Sequence, residues 1–207
     1  MEQIIIIGKG GHARSIVDAI ECEGKYQIAG YVINEEEIEE ENNDYPVIGK
    51  DENLQELYSK GIHYAAIGIG YLGKGSLRRK LYETLKQVGY SIPIICDPSA
   101  IISAKTKIEE GTFIGKGVII NAGTTIEKMC IINSGAIVEH DCYVEEFSHV
   151  AVGTVLCGGV HIGKDVFIGA NATVIQEVKI SNSCVIGAGE ILKKNLSSKE
   201  VYCNSKL

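Results

Sequence analysis

From residue 102 onward every sixth position is a branched aliphatic: Ile102, Ile108, Ile114, Ile120, Ile126, Ile132, Val138, Val144, Val150, Leu156, Ile162, Ile168, Val174, Ile180, Ile186 and Leu192. Four residues after each of these, from Thr106 to Cys184, stands a small or β-branched side chain, and Glu190 is the one departure. A period of six matches neither the 3.6-residue helix nor the alternation of a lone strand. It fits a short strand and a corner, repeated. Three such units close a triangular coil, and stacked coils pair as parallel strands ~4.8 Å apart. The aliphatic then faces the axis, and the small residue lies near the corner, where space is least. Gly115, Asn121, Gly123, Gly135, Gly153, Gly163 and Gly169 suit corner conformations closed to bulkier residues. The hexads predict about five coils over residues 98–207.

Residues 1–97 are punctuated differently. Ile4 to Ile7 is a β-branched run, followed by Gly8-Lys9-Gly10-Gly11-His12 and a helical pattern of Ala13, Ile16, Val17, Ala19 and Ile20. Strands are expected at Ile28 to Ile33, Tyr64 to Gly68 and Tyr90 to Cys96, with helices over 52–60 and Ser76 to Val88. This alternation predicts a small parallel α/β domain of Rossmann-like order. Glycines where a strand enters a helix let backbone N–H groups face a phosphate. Taken alone, G-x-G-x-x-A (Gly8, Gly10, Ala13) also fits a tight turn that binds nothing. The run Glu35 to Asp44 reads as a solvated surface loop.

Composition narrows the class. Aromatics make up 6% of the 207 residues, Trp is absent and 24 residues are glycine, so the interior is aliphatic and turns are frequent. A net charge of −7 argues against a nucleic-acid partner, which needs a basic surface. No apolar stretch reaches the ~18 residues of a membrane span, and the start lacks the basic region of a secretion signal. Seven cysteines with no C-x-x-C pair read as reduced thiols, small and buried, in a cytoplasmic protein.

The eighteen-residue coil locates candidate chemistry. His140 has Ala122 below and Gly158 above, while Asp141 has Gly123 below and Gly159 above. An imidazole and a carboxylate bracketed by minimal side chains make a slot for an extended substrate. Imidazole can take the proton of an attacking hydroxyl or amine, a neighbouring carboxylate can fix its tautomer, and Gly158 N–H can receive an oxyanion. His149, stacked between Ile131 and Phe167, reads equally well as structural. His63 and His161 carry no signal. No close pair or stacked trio of histidines suggests a metal, so none is expected.

The segment Asn133-Ser134-Gly135-Ala136-Ile137-Val138-Glu139-His140-Asp141-Cys142, continued by Glu146 to Gly153, resembles the signature of a bacterial sugar acetyltransferase family of the hexapeptide-repeat superfamily. That family includes N-acetyltransferases of UDP-4-amino-sugars and sialic acid O-acetyltransferases. The resemblance covers the whole chain and implies a Rossmann-like nucleotide-sugar-binding domain (1–97), then a left-handed parallel β-helix (98–207), assembled as a homotrimer. It implies acetyl-CoA as co-substrate, His140 as base with Asp141 as its acidic partner, and Asn133 beside them. His149, Gly158, Ala170 and Ala188 are implied to meet acetyl-CoA. Gly8, Gly10, Gly11 and His12 would meet the sugar nucleotide, with Asn34 near its base and Arg78 near a phosphate. N-acetylation of a nucleotide-linked 4-amino-sugar is the leading reading. Sialic acid O-acetylation and a non-catalytic nucleotide-sugar-binding scaffold remain as alternatives. Three features depart from the family pattern: Tyr31-Val32-Ile33-Asn34 where relatives carry acidic residues, the long glycine-rich loop Gly68 to Gly75, and the ending Val201 to Leu207.

Overall fold

The computed structural model describes residues 1–33, 44–71, 73 and 76–203. Asn34 and the acidic run up to residue 43 therefore lie outside the described residues. The chain divides into two compact units, Met1–Gly70 with Gly75–Ile95 and Tyr71–Lys74 with Cys96–Leu207. No helix among the described residues is long and apolar enough to cross a membrane.

The first unit runs β1 (Glu2–Ile7), α1 (Gly11–Glu23), β2 (Tyr26–Val32), β3 (Val47–Gly49), α2 (Leu54–Ser59), β4 (Tyr64–Ile67) and α3 (Leu77–Val88). Its sheet has the order β3-β2-β1-β4, with every pairing parallel. A central parallel strand is covered on both faces, which explains why Ile4 to Ile7 is an unbroken aliphatic run at most 2% exposed. Helix α1 buries Ala13, Ile16, Val17 and Ile20, one stripe at helical spacing. Gly24 ends it in the left-handed region, with its N–H returned to the Ile20 carbonyl. The strand expected from Tyr90 to Cys96 is broken. Ser91 bridges Tyr64, whereas Ile95–Cys96 joins a sheet of the second unit. Pro93 stands between them and has no N–H to continue a ladder.

The second unit consists of two-residue strands in three parallel sheets of five, seven and six strands. The five-stranded face runs from Lys107–Ile108 to Lys179–Ile180, the seven-stranded face from Ile95–Cys96 to Val201–Tyr202, and the six-stranded face from Ile101–Ile102 to Ile191–Leu192. Hydrogen-bonded partners are one coil apart, as in Ile131↔His149↔Phe167. Every aliphatic of the six-residue series from Ile114 to Leu192 is at most 1% exposed. These parallel strands and their hexapeptide repeat fit a left-handed β-helix.

The small position proves to face inward as well. Thr112, Thr124, Ser148 and Thr154 are buried and donate their hydroxyls to the carbonyls of Glu127, Glu139, Gly163 and Gly169 at 2.7–3.0 Å. Cys130 and Cys142 offer their thiols to Glu145 and Cys157 in the same way, each at 3.2 Å. The position thus favours a short side chain with a donor, because the corner carbonyls of the next coil need a partner. Burial pushes the Cys142 thiol up to about 11, so it stays protonated. The exposed Cys22 and Cys203 do not belong to this buried set.

From Gly111 to Gly189 the third residue after each interior aliphatic has positive φ. Gly123 and Gly159 fill it in two coils, while Asp141, at φ 58°, fills it between them. A side chain in that conformation costs about 1 kcal/mol or more, least for Asp and Asn. Gly115 and Gly169 serve another purpose. Their φ is ordinary, but a Cβ would fall 2.8 Å from the Ser134 nitrogen and 2.5 Å from that of Ala188 in the next coil.

Ile168, fully buried in the axial stack, tests this core. Its replacement by Ala should cost about 2–5 kcal/mol in urea denaturation.

Candidate active site

His140 and Asp141 form the corner that follows the six-stranded face. His140 Nδ1 and Asp141 Oδ2 are 2.9 Å apart. A carboxylate only accepts, so Nδ1 carries the proton and Nε2 is left with a free lone pair. Neighbours in sequence seldom pair this way; here the left-handed φ of Asp141 turns its carboxylate back to the ring. The two side chains then spread over different coils. A Cβ on Gly158 would lie 2.6 Å from His140 Cε1 and 2.7 Å from Nε2, and a Cβ on Gly123 would lie 2.3 Å from Asp141 Oδ1. The bracketing glycines are thus a spatial requirement of the pair.

Both side chains are open to solvent, at 64% and 72% exposure. The hydrogen bond that His140 donates to Asp141, helped by the charges of Asp141 and Glu139, raises the His140 pKa above its ordinary value. Gly158 gives its carbonyl to Glu177 N–H, and its own N–H meets no protein acceptor among the described residues. A base with a free lone pair and a fixed backbone donor therefore share one corner, the minimum for addition to a carbonyl.

The remaining expected site residues of this unit lie elsewhere. Asn133, Ala170 and Ala188 occupy the corner edge that follows the seven-stranded face, and His149 sits on that face. His149 is 7% exposed, packs edge-on against Phe167 at 5.2 Å, and holds its Nε2 3.4 Å from Asn133 Nδ2. Within one chain, His140, Asp141 and Gly158 are brought together, as are Asn133 and His149, but on different edges. His161 pairs with Glu145 at 2.8 Å and tilts against Tyr143, on the five-stranded face.

In the first unit, Gly8 at φ 86° turns the chain from β1 into α1. Gly10 and Gly11 border open space, and α1 has no side-chain cap and no acidic residue in its first turn. His12 lies in that turn, half-buried, and Ala13 packs so closely on Gly68 that a Cβ there would approach it to 2.6 Å. Arg78, expected near a phosphate, is 5% exposed and gives Nη1 to the Ile69 carbonyl at 2.6 Å, which ties it to the loop after β4. Two residues escaped the sequence reading. Lys9, inside the glycine loop, is 9% exposed and its ammonium has no partner among the described residues. Tyr71 accepts a hydrogen bond from His149 through its carbonyl. For Lys9 the only signal was a long cation among glycines; for Tyr71 there was none.

Comparison with known proteins resolves the family. Residues 3–85 match the PglD N-terminal domain, and residues 105–140 and 159–194 match the hexapeptide repeat of succinyl-transferase. The structure of PerB, the GDP-perosamine N-acetyltransferase of Caulobacter crescentus, superposes with a TM-score of 0.90 at 31% identity, over 97% of this chain and 93% of that one. The chain belongs to the sugar N-acetyltransferases of the left-handed β-helix superfamily. PerB has been crystallised with CoA and GDP-perosamine, also as variants with a histidine replaced by Ala or Asn. The acetyltransferase domain of PglB from Neisseria gonorrhoeae shares the fold, with a TM-score of 0.88 at 24% identity over 97% of this chain and 96% of that one. A curated relative, the bifunctional protein GlmU of Wolinella succinogenes, is 34% identical over 65 residues, which is 28% of this chain and only 15% of that protein.

The raised pKa of His140 sets the sign of a pH test. A neutral base works above its pKa, so activity should rise with pH through a value higher than the ~6.5 of ordinary histidine. Asp141→Asn should move the acid limb, and the NMR titration of His140, to lower pH. An unmoved titration would break the link between carboxylate and base.

Proposed function

We propose that this protein is an acetyl-CoA-dependent N-acetyltransferase of a nucleotide-linked amino sugar in glycan synthesis, with His140 as general base. The His140–Asp141 pair standing over Gly158 carries this reading. The sugar amine attacks the thioester carbonyl, a C–N bond forms, and the amine proton passes to His140 Nε2. Charge on the carbonyl oxygen is met by Gly158 N–H. The C–S bond then breaks, and the proton held by His140 leaves with the thiolate.

The glycine loop supports the nucleotide-sugar half. Open glycines at an uncapped helix start are suited to a pyrophosphate. The unpaired ammonium of Lys9 would gain its counter-charge there. The order β3-β2-β1-β4 is the first half of the Rossmann arrangement, the basis for reading this unit as Rossmann-like. Asn34, proposed near the nucleotide base, lies outside the described residues. Ala170 and Ala188 are proposed to line the CoA arm on the edge that carries Asn133.

The assignment of the base to one edge and of Ala170 and Ala188 to another favours a homotrimer, in which neighbouring copies bring unlike edges together. The seven free thiols favour a cytoplasmic enzyme, where acetyl-CoA is also made.

His140→Ala should lower kcat about 10²–10⁴-fold while isothermal titration still detects acetyl-CoA and UDP- or GDP-linked amino sugars. Full activity in that variant would overturn the base. Lys9→Met should raise KM for the nucleotide sugar roughly tenfold or more, as expected for losing one charged contact. The same change should raise the melting temperature of the ligand-free protein, because it removes an uncompensated buried charge.

A further inference from the structure

Tyr71 and Gly73 follow β4 in sequence but belong to the second unit. Tyr71 is 8% exposed; its hydroxyl donates to the Asp165 carbonyl at 2.8 Å, and its own carbonyl lies 2.6 Å from His149 Nδ1. Gly73, at φ 77°, lies so close to the seven-stranded face that a Cβ would fall 2.6 Å from Val185 Cγ2 and 3.2 Å from Phe167 Cβ. Tyr71 and Gly73 form a strap across His149, Phe167 and Val185.

Two backbone groups, Ser134 N–H and the Tyr71 carbonyl, fix the direction of the hydrogen bonds that run from Asn133 through His149. Ser134 N–H can only donate, and it donates to Asn133 Oδ1 at 2.8 Å. That orients the carboxamide so that Nδ2, a donor, is the atom 3.4 Å from His149 Nε2. The Tyr71 carbonyl can only accept, so His149 Nδ1 bears a proton. A proton on Nε2 as well would set two N–H donors against each other at a nearly buried position.

We infer that the strap of Tyr71 and Gly73 is a positioning element that holds His149 as a neutral imidazole with its proton on Nδ1, making Nε2 a hydrogen-bond acceptor. What His149 can recognise follows from that. It accepts a donor, such as Asn133 or an amide N–H of a pantetheine arm, and it cannot serve as an oxyanion donor or a general acid. The pantetheine part rests on the acetyl-CoA reading above; the protonation state does not.

The test starts with the full, ligand-free protein labelled with ¹⁵N-histidine, the His149 resonances being assigned by their loss in His149→Gln. Long-range ¹H–¹⁵N spectra should place the proton on Nδ1 and leave Nε2 bare across neutral pH. A proton on Nε2 overturns the proposal whatever the enzyme acetylates. Gly73→Ala, which cannot keep the strap in place, should shift the His149 resonances. It should also raise KM for acetyl-CoA by up to about tenfold, one hydrogen bond's worth, with kcat changed much less. Tyr71→Phe, which loses only the bond to Asp165, should shift the same resonances less. Unchanged His149 resonances in both variants would overturn the role of the strap. Correct resonances in a protein that fails to bind acetyl-CoA would instead sink the proposed donor.

Discussion

Two backbone hydrogen bonds hold the corner on which the chemistry depends. Asp141 N–H donates to the Ala122 carbonyl at 3.0 Å, and Gly159 N–H donates to the His140 carbonyl at 2.9 Å. The corner is therefore fixed from the coil on each side, and a third bond from the Thr124 hydroxyl to the Glu139 carbonyl, at 2.8 Å, secures its entry. No loop interrupts the coil at this corner, since the six-residue spacing is kept from Ile137–Val138 to Tyr143–Val144. Precision at His140 comes from the ladder itself, and side-chain packing contributes little at so exposed a residue. The same ladder sets what surrounds the pair. With partners one coil apart, glycine at 158 and 123 leaves the space that the imidazole and carboxylate occupy.

This constraint also explains why so much was legible in the sequence. A six-residue period is a direct record of the coil, and a neighbour eighteen residues away needs no tertiary prediction. The bracketing of His140 and Asp141 could be read for that reason, and so could His149 between Ile131 and Phe167. The α/β unit was legible through its strand-to-helix punctuation, except where Pro93 divides one expected strand between two sheets. The small register was recognised but assigned only a steric role. Its hydroxyls and thiols answer to carbonyls fifteen residues on, a relation that no local pattern expresses.

What could not be read shares a physical cause. Arg78 was read as a ligand because a cation following a glycine-rich loop normally meets solvent or phosphate; that its Nη1 also ties down the Ile69 carbonyl had no signal in the sequence. Tyr71 looked like nothing because its function lies in a backbone carbonyl, which every residue possesses. Only the path of the chain decides where such a group ends up. Glycines 68 to 75 were conspicuous as composition, but composition does not reveal that Gly73 is needed for close approach to Phe167 and Val185.

The two histidines of greatest interest show how the partner, more than the residue type, sets the role. Both carry their proton on Nδ1 and present Nε2. His140 donates its Nδ1–H in a hydrogen bond to a carboxylate in an exposed corner, so a positive charge on the ring is stabilised when it arrives. His149 donates its Nδ1–H to a neutral carbonyl, is nearly buried, and faces an amide N–H at the other nitrogen. A second proton there would face the Asn133 amide donor. One ring is therefore built to gain and release a proton, the other to keep one arrangement throughout. A fold that repeats the same corner in every coil differentiates its sites through what each corner is given as a neighbour.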